Sequence, residues 1–351
     1  MRRGLAGLAL MAVALAGLAG TPALAETKHR PPAKPTHTAK AAKPAATKAV
    51  KKASQHKAKP AHAVRKSLGK PLPDGTVRLD PVAWGAVASP SLGPAQVIGG
   101  YASGCLAGGM ALAPEGAGYQ VIRLSRVRNY GHPSLVAFLQ DFGRRVERQG
   151  LGTALVGDMA QPRGGPLRYG HASHQSGLDA DVWLRLDLPA MNRGARESLS
   201  EIKYVDYGAM TVTPSWSDRQ AALIRTAATD PRVARIFVNP AIKRELCTTA
   251  GTDRDWLRKV RPWHGHDGHM HIRLSCPAGS PACEEQAALP DGDGCGEELA
   301  SWLDRAVPAR EVPPSKARPP SPAMPAACAA VLRGAGTAVA QAGPANGGFH
   351  P

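Results

Sequence analysis

The sequence predicts an α+β fold. Strand-like and helix-like segments mix along residues 71–307 without a regular β-α-β period. Hydrophobic residues make up 43% of the 351, enough for a core, while aromatics are only 5%, so that core is short of large side chains. The charge sits apart from it. Of a formal +17, residues 26–70 carry +12 (13 Lys/Arg against Glu26) and Arg2 and Arg3 add two, leaving +3 for residues 71–351. The body is therefore no basic nucleic-acid binder. A mean hydropathy of −0.24, with one long apolar run at the N-terminus, excludes a polytopic membrane protein.

Residues 1–25 (MRRGLAGLALMAVALAGLAGTPALA) place two arginines before an apolar stretch and end in the small-x-small site Ala23-Leu24-Ala25. They read as a secretory signal peptide, with the mature chain starting at Glu26. The alternative is a membrane anchor, but the run Gly4–Gly20 is short and Gly/Ala-rich for a span. No cysteine follows that run before Cys105, which argues against a lipoprotein.

Residues 26–70 are Lys, Ala, Pro, Thr and His, and read as a basic disordered linker. As a flexible coil they span roughly 35–40 Å. The segment can grip an envelope polyanion or act as a solvated spacer.

In the body, GYQVIRL at 118–124 reads as a strand. Pro133 opens a helix, with Leu135, Leu139, Phe142 and Val146 at helical spacing. Residues 152–157 read as a strand. Ser217 and Gln220 form a capping-box pair before Ala221–Ala228, and Asp230-Pro231 ends that helix. Residues 233–238 read as a strand, 240–260 as helix broken at Gly251, and 269–274 as a strand. Residues 308–351 read as a Pro/Ala-rich C-terminal tail. The six cysteines (Cys105, Cys247, Cys276, Cys283, Cys295, Cys328) are even in number, and export permits disulfides. Cys328 lies in the tail, which suggests that the tail is stapled to the body.

Two short blocks carry the chemistry. The first is His171-Ala-Ser-His174-Gln-Ser-Gly-Leu-Asp179-Ala-Asp181-Val-Trp183 and the second Trp263-His264-Gly-His266-Asp-Gly-His269-Met-His271-Ile-Arg273. On a strand His269 and His271 share one face and Met270 and Ile272 the other. Asp179, Asp181 and Trp183 alternate likewise with Leu178, Ala180 and Val182. A turn from His174 to Gly177 can bring His174 back beside Asp181. Two imidazoles and a carboxylate make a catalytic zinc set with one position left for water. Spacing leaves open which imidazoles ligate.

GHASHQSGLDADVWL followed by RPWHGHDGHMHIRLSCP resembles the penicillin-insensitive murein endopeptidases. These belong to a larger group of zinc peptidases that includes lysostaphin-type enzymes and D-Ala-D-Ala metallopeptidases. GDMAQPRGG at 157–165 also fits, and the resemblance covers roughly residues 72–332. It implies a central antiparallel sheet with flanking helices, of the D-Ala-D-Ala metallopeptidase or hedgehog type, in a zinc peptidase domain over 71–307. It makes His174, Asp181 and His271 the zinc ligands and His269 the base. His171 and His266 would line the cleft as supporting or substrate-contacting groups, or else be hydrogen-bonded core histidines. It also implies the pairs Cys105–Cys328, Cys247–Cys295 and Cys276–Cys283.

Asp179 reads as a turn or supporting acid, and His132 as a helix cap or surface residue. Trp183 and Trp263 read as core, with Trp263 able to wall the cleft. His264 stands where an aromatic residue is expected, and takes no ligand role. The implied function is periplasmic hydrolysis of the D-alanyl–meso-diaminopimelate amide in cross-linked peptidoglycan stem peptides. No nucleic acid is implied as a partner, nor any stable membrane span after signal cleavage. Ser67-Leu-Gly-Lys70 matches the letters of a penicillin-reactive Ser-x-x-Lys motif but stands at the linker's edge, away from any rigid site. The alternatives are a D,D-carboxypeptidase or L,D-endopeptidase specificity, or a non-catalytic zinc-containing wall-binding protein.

Overall fold

The apolar spacing after Pro133 forms helix α1, Pro133–Arg148, in a computed structural model that describes residues 71–305 and 323–335. The segments read as signal peptide and linker, and most of the C-terminal tail, lie outside the described residues. All the described residues belong to one compact unit. His132 caps α1, its Nδ1 accepting from the Ser134 N–H at 3.1 Å. Leu135, Phe138, Leu139, Phe142 and Val146 are fully buried along one side, each such burial contributing about 1.5–3 kcal/mol. Ser217 and Gln220 cap helix α2, Asp218–Ala228, in the expected box. Helix α3, Pro240–Thr249, ends just before Gly251 (φ +65°), and a 3-10 turn follows at Asp255–Lys259. This is the expected break.

The body also holds a seven-stranded sheet. Its strands are β4 (Glu115–Gly116), β5 (Tyr119–Val121), β6 (Ala154–Val156), β7 (Asp179–Trp183), β8 (Val233–Val238), β9 (Val260–Pro262) and β10 (His269–Leu274). Their spatial order is β9-β8-β10-β7-β6-β5-β4. The sheet is mainly antiparallel, with parallel junctions at β8–β9 and β5–β6. The expected strand at 118–124 stops at Val121, because Arg123 turns the chain left-handed at φ +56°.

A second, smaller core joins the two ends of the described chain. A hairpin, β2 (Gln96–Gly100) and β3 (Ser103–Ala107), packs with a short helix at Pro81–Gly85. Strand β1, Thr76–Val77, pairs with β11, Met324–Pro325. Within the stretch expected as a tail, residues 323–335 are thus folded: after β11 comes helix α5, Ala327–Arg333. Cys328, Val331 and Leu332 are fully buried there against Trp84, Ile98 and Cys105. The six cysteines bond as Cys105–Cys328, Cys247–Cys295 and Cys276–Cys283, the pairs that the resemblance implies. Among the described residues no helix is long and apolar enough to cross a membrane.

Candidate metal centre

Strand register assembles the first part of the site. β7 and β10 run antiparallel with His271 opposite Asp181 and His269 opposite Trp183. Alternation then places Asp179, Asp181, His269, His271 and Arg273 on one face. Ala180, Val182, Met270 and Ile272 sink fully into the core on the other.

The loop before β7 supplies the rest. Gly177 adopts φ +75°, and a Cβ there would stand 2.6 Å from the Leu106 side chain, so the turn requires glycine. His174 is itself left-handed at φ +67°. Its N–H donates to Asp179 Oδ2 at 3.0 Å. Asp179 also accepts from Arg273 Nε at 2.7 Å and Nη2 at 3.0 Å. Burial opposes its charge, but Arg273 and His271 outweigh burial and hold the carboxyl below the usual range. Asp179 is an anchor for the loop and for β10.

Asp181 is the hub. Its Oδ1 lies 3.4 Å from both His174 Nε2 and His271 Nδ1, and its Oδ2 lies 3.2 Å from His171 Nε2. One ligand atom from each of His171, His174, Asp181 and His271 falls within 4.8 Å of the others. The family resemblance implies His174, Asp181 and His271 as ligands; the structure brings His171 into the same cluster. Burial again opposes ionisation of Asp181, yet His174, His171 and His269 hold its carboxyl well below the usual range. Both ring nitrogens of His174 and Oδ1 of Asp181 are buried without a hydrogen-bond partner among the described residues. Such orphaned polar atoms are costly unless something satisfies them. A cation held by this N/O donor set would do so, and the set suits zinc.

Beside the cluster stands His269. Its Nδ1 lies 2.6 Å from Glu201 Oε1, and Glu201 also accepts from Lys203 Nζ at 2.7 Å. Donation from Nδ1 leaves Nε2 as the basic nitrogen, 3.9 Å from Asp181 Oδ1. Despite burial, His269 and Lys203 draw the Glu201 carboxyl down to about 2. Glu201 escaped sequence reading: it stands on a loop with no periodic pattern, far from either histidine block.

Asp158 was also unread, although it lies in the GDMAQPRGG stretch. It accepts from Arg126 Nη1 at 3.0 Å and Arg128 Nη1 at 2.8 Å, and lies 3.6 Å from His171 Nε2.

His266 lines the cleft, with Nδ1 3.1 Å from the His264 carbonyl. Burial, with His269 and His271 beside it, pushes its pKa down to about 3, so the ring is neutral. His264 lies outside the cluster and packs on Trp302, ring centres 5.2 Å apart. Trp302 belongs to helix α4, Glu297–Leu303. Trp183 is buried, whereas Trp263 is half exposed and walls the cleft against Phe237.

The cluster separates two hollows. One, of about 430 Å³, is lined by Phe237, Trp263, His266, His271 and Gln286 among others. The other, of about 190 Å³, is lined by Arg123, Asp158, Trp183, Glu201 and His269 with Asp181. A larger hollow of about 540 Å³ lies by Arg254, Arg258 and Asp293. It contains no histidine, and its Arg254 and Arg258 pair with Asp293 and Asp291. It is not where the chemistry gathers.

Buried imidazoles and a carboxylate converging on one point, with an oriented basic histidine alongside, form the kind of site that metal-dependent hydrolases use. The chain belongs to the penicillin-insensitive murein endopeptidase family, whose sequence model matches residues 97–333. It is 52% identical over 235 residues to the penicillin-insensitive murein endopeptidase of Haemophilus influenzae, covering 66% of this chain and 81% of the relative. It is 47% identical over 250 residues to the protein of that name from Klebsiella pneumoniae, and 46% identical to that from Salmonella typhi; each match covers 71% of this chain and 90% of the relative.

Proposed function

We propose that this chain is an exported zinc metallopeptidase of the cell envelope that hydrolyses D-alanyl–meso-diaminopimelate cross-links in peptidoglycan and is not inhibited by penicillin. The names of its relatives, murein endopeptidases, support the substrate class. The observation that carries the chemistry is the convergence of buried, unpartnered atoms of His174 and Asp181 beside His269. The proposed ligands are His174, Asp181 and His271, with His171 the supporting imidazole at their edge. We assign the mixed sheet to the D-Ala-D-Ala metallopeptidase type. Residues 1–25 are proposed as a signal peptide that directs the chain to the periplasm, and 26–70 as a basic linker able to meet envelope polyanions. The peptidase domain is proposed over 71–307, with residues 323–335 of the Pro/Ala-rich segment 308–351 folded onto it and bonded through Cys328.

Zinc held by His174, Asp181 and His271 would supply Lewis-acid chemistry for the scissile carbonyl and the attacking water. The residues do the remainder. His269, fixed through Nδ1 by Glu201, takes the water's proton at Nε2 and returns it to the leaving amine. Asp179 keeps His174 and Arg273 in place while the bond breaks. No side chain serves as nucleophile, so penicillin finds none to acylate.

Digestion of purified sacculi, with products identified by mass, tests this reading. Cross-linked dimers should fall to monomers, a chelator should stop the reaction, added zinc should restore it, and penicillin should leave it untouched. Chelator-resistant cleavage, or a covalent penicillin adduct, would overturn it.

A further inference from the structure

We infer that Arg123 is the anchor for a substrate carboxylate borne on the carbon next to the scissile nitrogen. The inference rests on the reading of His269 as the group that protonates the leaving amine.

Several cations border the site, and most are engaged with acids. Arg126 and Arg128 bind Asp158, Lys203 bridges Glu201 and Asp267, and Arg273 binds Asp179. Arg123 has no carboxylate within 4.0 Å among the described residues. It is nevertheless held in place. Its Nη2 donates to the Leu199 carbonyl at 3.0 Å, its guanidinium lies 4.8 Å over the Trp183 ring, and its own N–H donates to the Arg196 carbonyl at 3.2 Å. Its backbone is left-handed at φ +56°, a conformation that a residue with a side chain adopts at a cost. A positioned guanidinium with free donors recognises a carboxylate. Arg235 also lacks an acidic partner, but it donates to the Ala287 carbonyl and lines the other hollow, with His266.

Location selects the ligand. Arg123 lines the 190 Å³ hollow together with His269 and Glu201. If His269 delivers the proton to the leaving amine, the amine and what it carries lie in this hollow. In the proposed cross-link, the leaving nitrogen sits on a diaminopimelate carbon that bears a free carboxylate. The same chemistry occurs in a linear peptide ending in D-alanyl-D-alanine, where that carboxylate is the chain terminus. In either source the carboxylate is two bonds from the nitrogen that His269 must reach.

The test uses full-length enzyme and three sugar-free peptides: a cross-linked dimer, the same dimer with this carboxylate converted to a carboxamide, and a linear pentapeptide ending in D-alanyl-D-alanine. Wild type should favour the carboxylate dimer over the amidated one in kcat/KM by about 10- to 100-fold, as expected for hydrogen bonds to a charged group. Arg123→Asn, which removes the charge yet tolerates the left-handed backbone, should bring that ratio close to one. Arg123→Lys should retain part of it. Loss of wild-type preference only between the dimers assigns the diaminopimelate carboxylate, and a matching loss on the pentapeptide assigns the terminal one. An Arg123→Asn variant that slows both dimers equally, preserving the ratio, overturns the assignment, as does a wild-type enzyme that cleaves both dimers equally. The latter result leaves the endopeptidase reading standing. An enzyme that cleaves neither dimer overturns both.

Discussion

His269 Nδ1 lies 2.6 Å from Glu201 Oε1, across 68 positions of sequence. The contact fixes both the ring's tautomer and its direction, because the hydrogen bond at one nitrogen leaves the other basic. Supporting carboxylates of this kind matter for rate as well as for shape.

Glu201→Gln keeps an acceptor and removes the charge. Activity should fall about 10- to 100-fold with zinc content unchanged. Burial lowers the basicity of His269, while Asp181 and Glu201 raise it, and the net shift is upward. Removing the Glu201 anion should therefore move the acid limb of the pH–rate profile to lower pH. An unshifted profile would reduce Glu201 to a packing role.

Replacing His174, Asp181 or His271 by Ala should abolish zinc binding and activity together, against about one zinc per chain in the wild type. His171→Ala should retain zinc with affinity weakened about 10- to 100-fold. Metal analysis of the four purified variants checks this. Full occupancy in any of the first three removes that residue from the ligand set.

Asp230 supplies a pH-dependent contribution to stability. It accepts from Arg145 Nη1 at 2.7 Å and from Arg232 Nε and Nη2 at 2.9 Å each, and is 2% exposed. Burial opposes its charge, but the Arg232 and Arg145 bonds draw its pKa down to about 2. A folded value below the unfolded one means stability present above the unfolded pKa and lost as pH falls through the folded one. Because its arginine partners are partly open to solvent, the contribution is about 1–2 kcal/mol. Asp230→Asn should cost that amount at pH 7, and the gap should close between about pH 4 and 2. Urea titrations across this range read it directly, and a gap independent of pH would show that charge is not the cause.

The Cys105–Cys328 bond closes a loop of 223 positions. Replacing both cysteines by Ala should lower stability by about 2–5 kcal/mol, seen in the denaturant midpoint. Zinc content should persist, since no metal-site strand carries either cysteine. Zinc loss in parallel would tie the small core to the site.

The two histidine blocks were legible because strand alternation assigns faces before any tertiary contact is known. His269 and His271 share a side on sequence alone, and the register opposite β7 then delivers Asp181. Glu201 and Arg123 were hidden for the opposite reason. Both reach the site from irregular backbone: Glu201 stands where there is no period, and Arg123 leaves the strand period of 118–124 where the chain turns left-handed. The segment 323–335 was obscured by its Pro/Ala surroundings. Yet Cys328, Val331 and Leu332 stand at helical spacing, the signal of a buried helix face. The β2–β3 hairpin is Gly-rich, and its alternation is correspondingly weak.

The pairing of β1 with β11 has a bearing on the order of maturation. A growing chain has supplied every residue of the metal centre once Leu274 has appeared, but Trp84, Ile98 and Cys105 wait for residues 324–332. Contacts between such distant positions form late, because the loop entropy must be overcome first. The small core thus comes last: a chain interrupted between Leu274 and Cys328 carries the candidate hydrolytic residues without the element that seals its N-terminal hairpin.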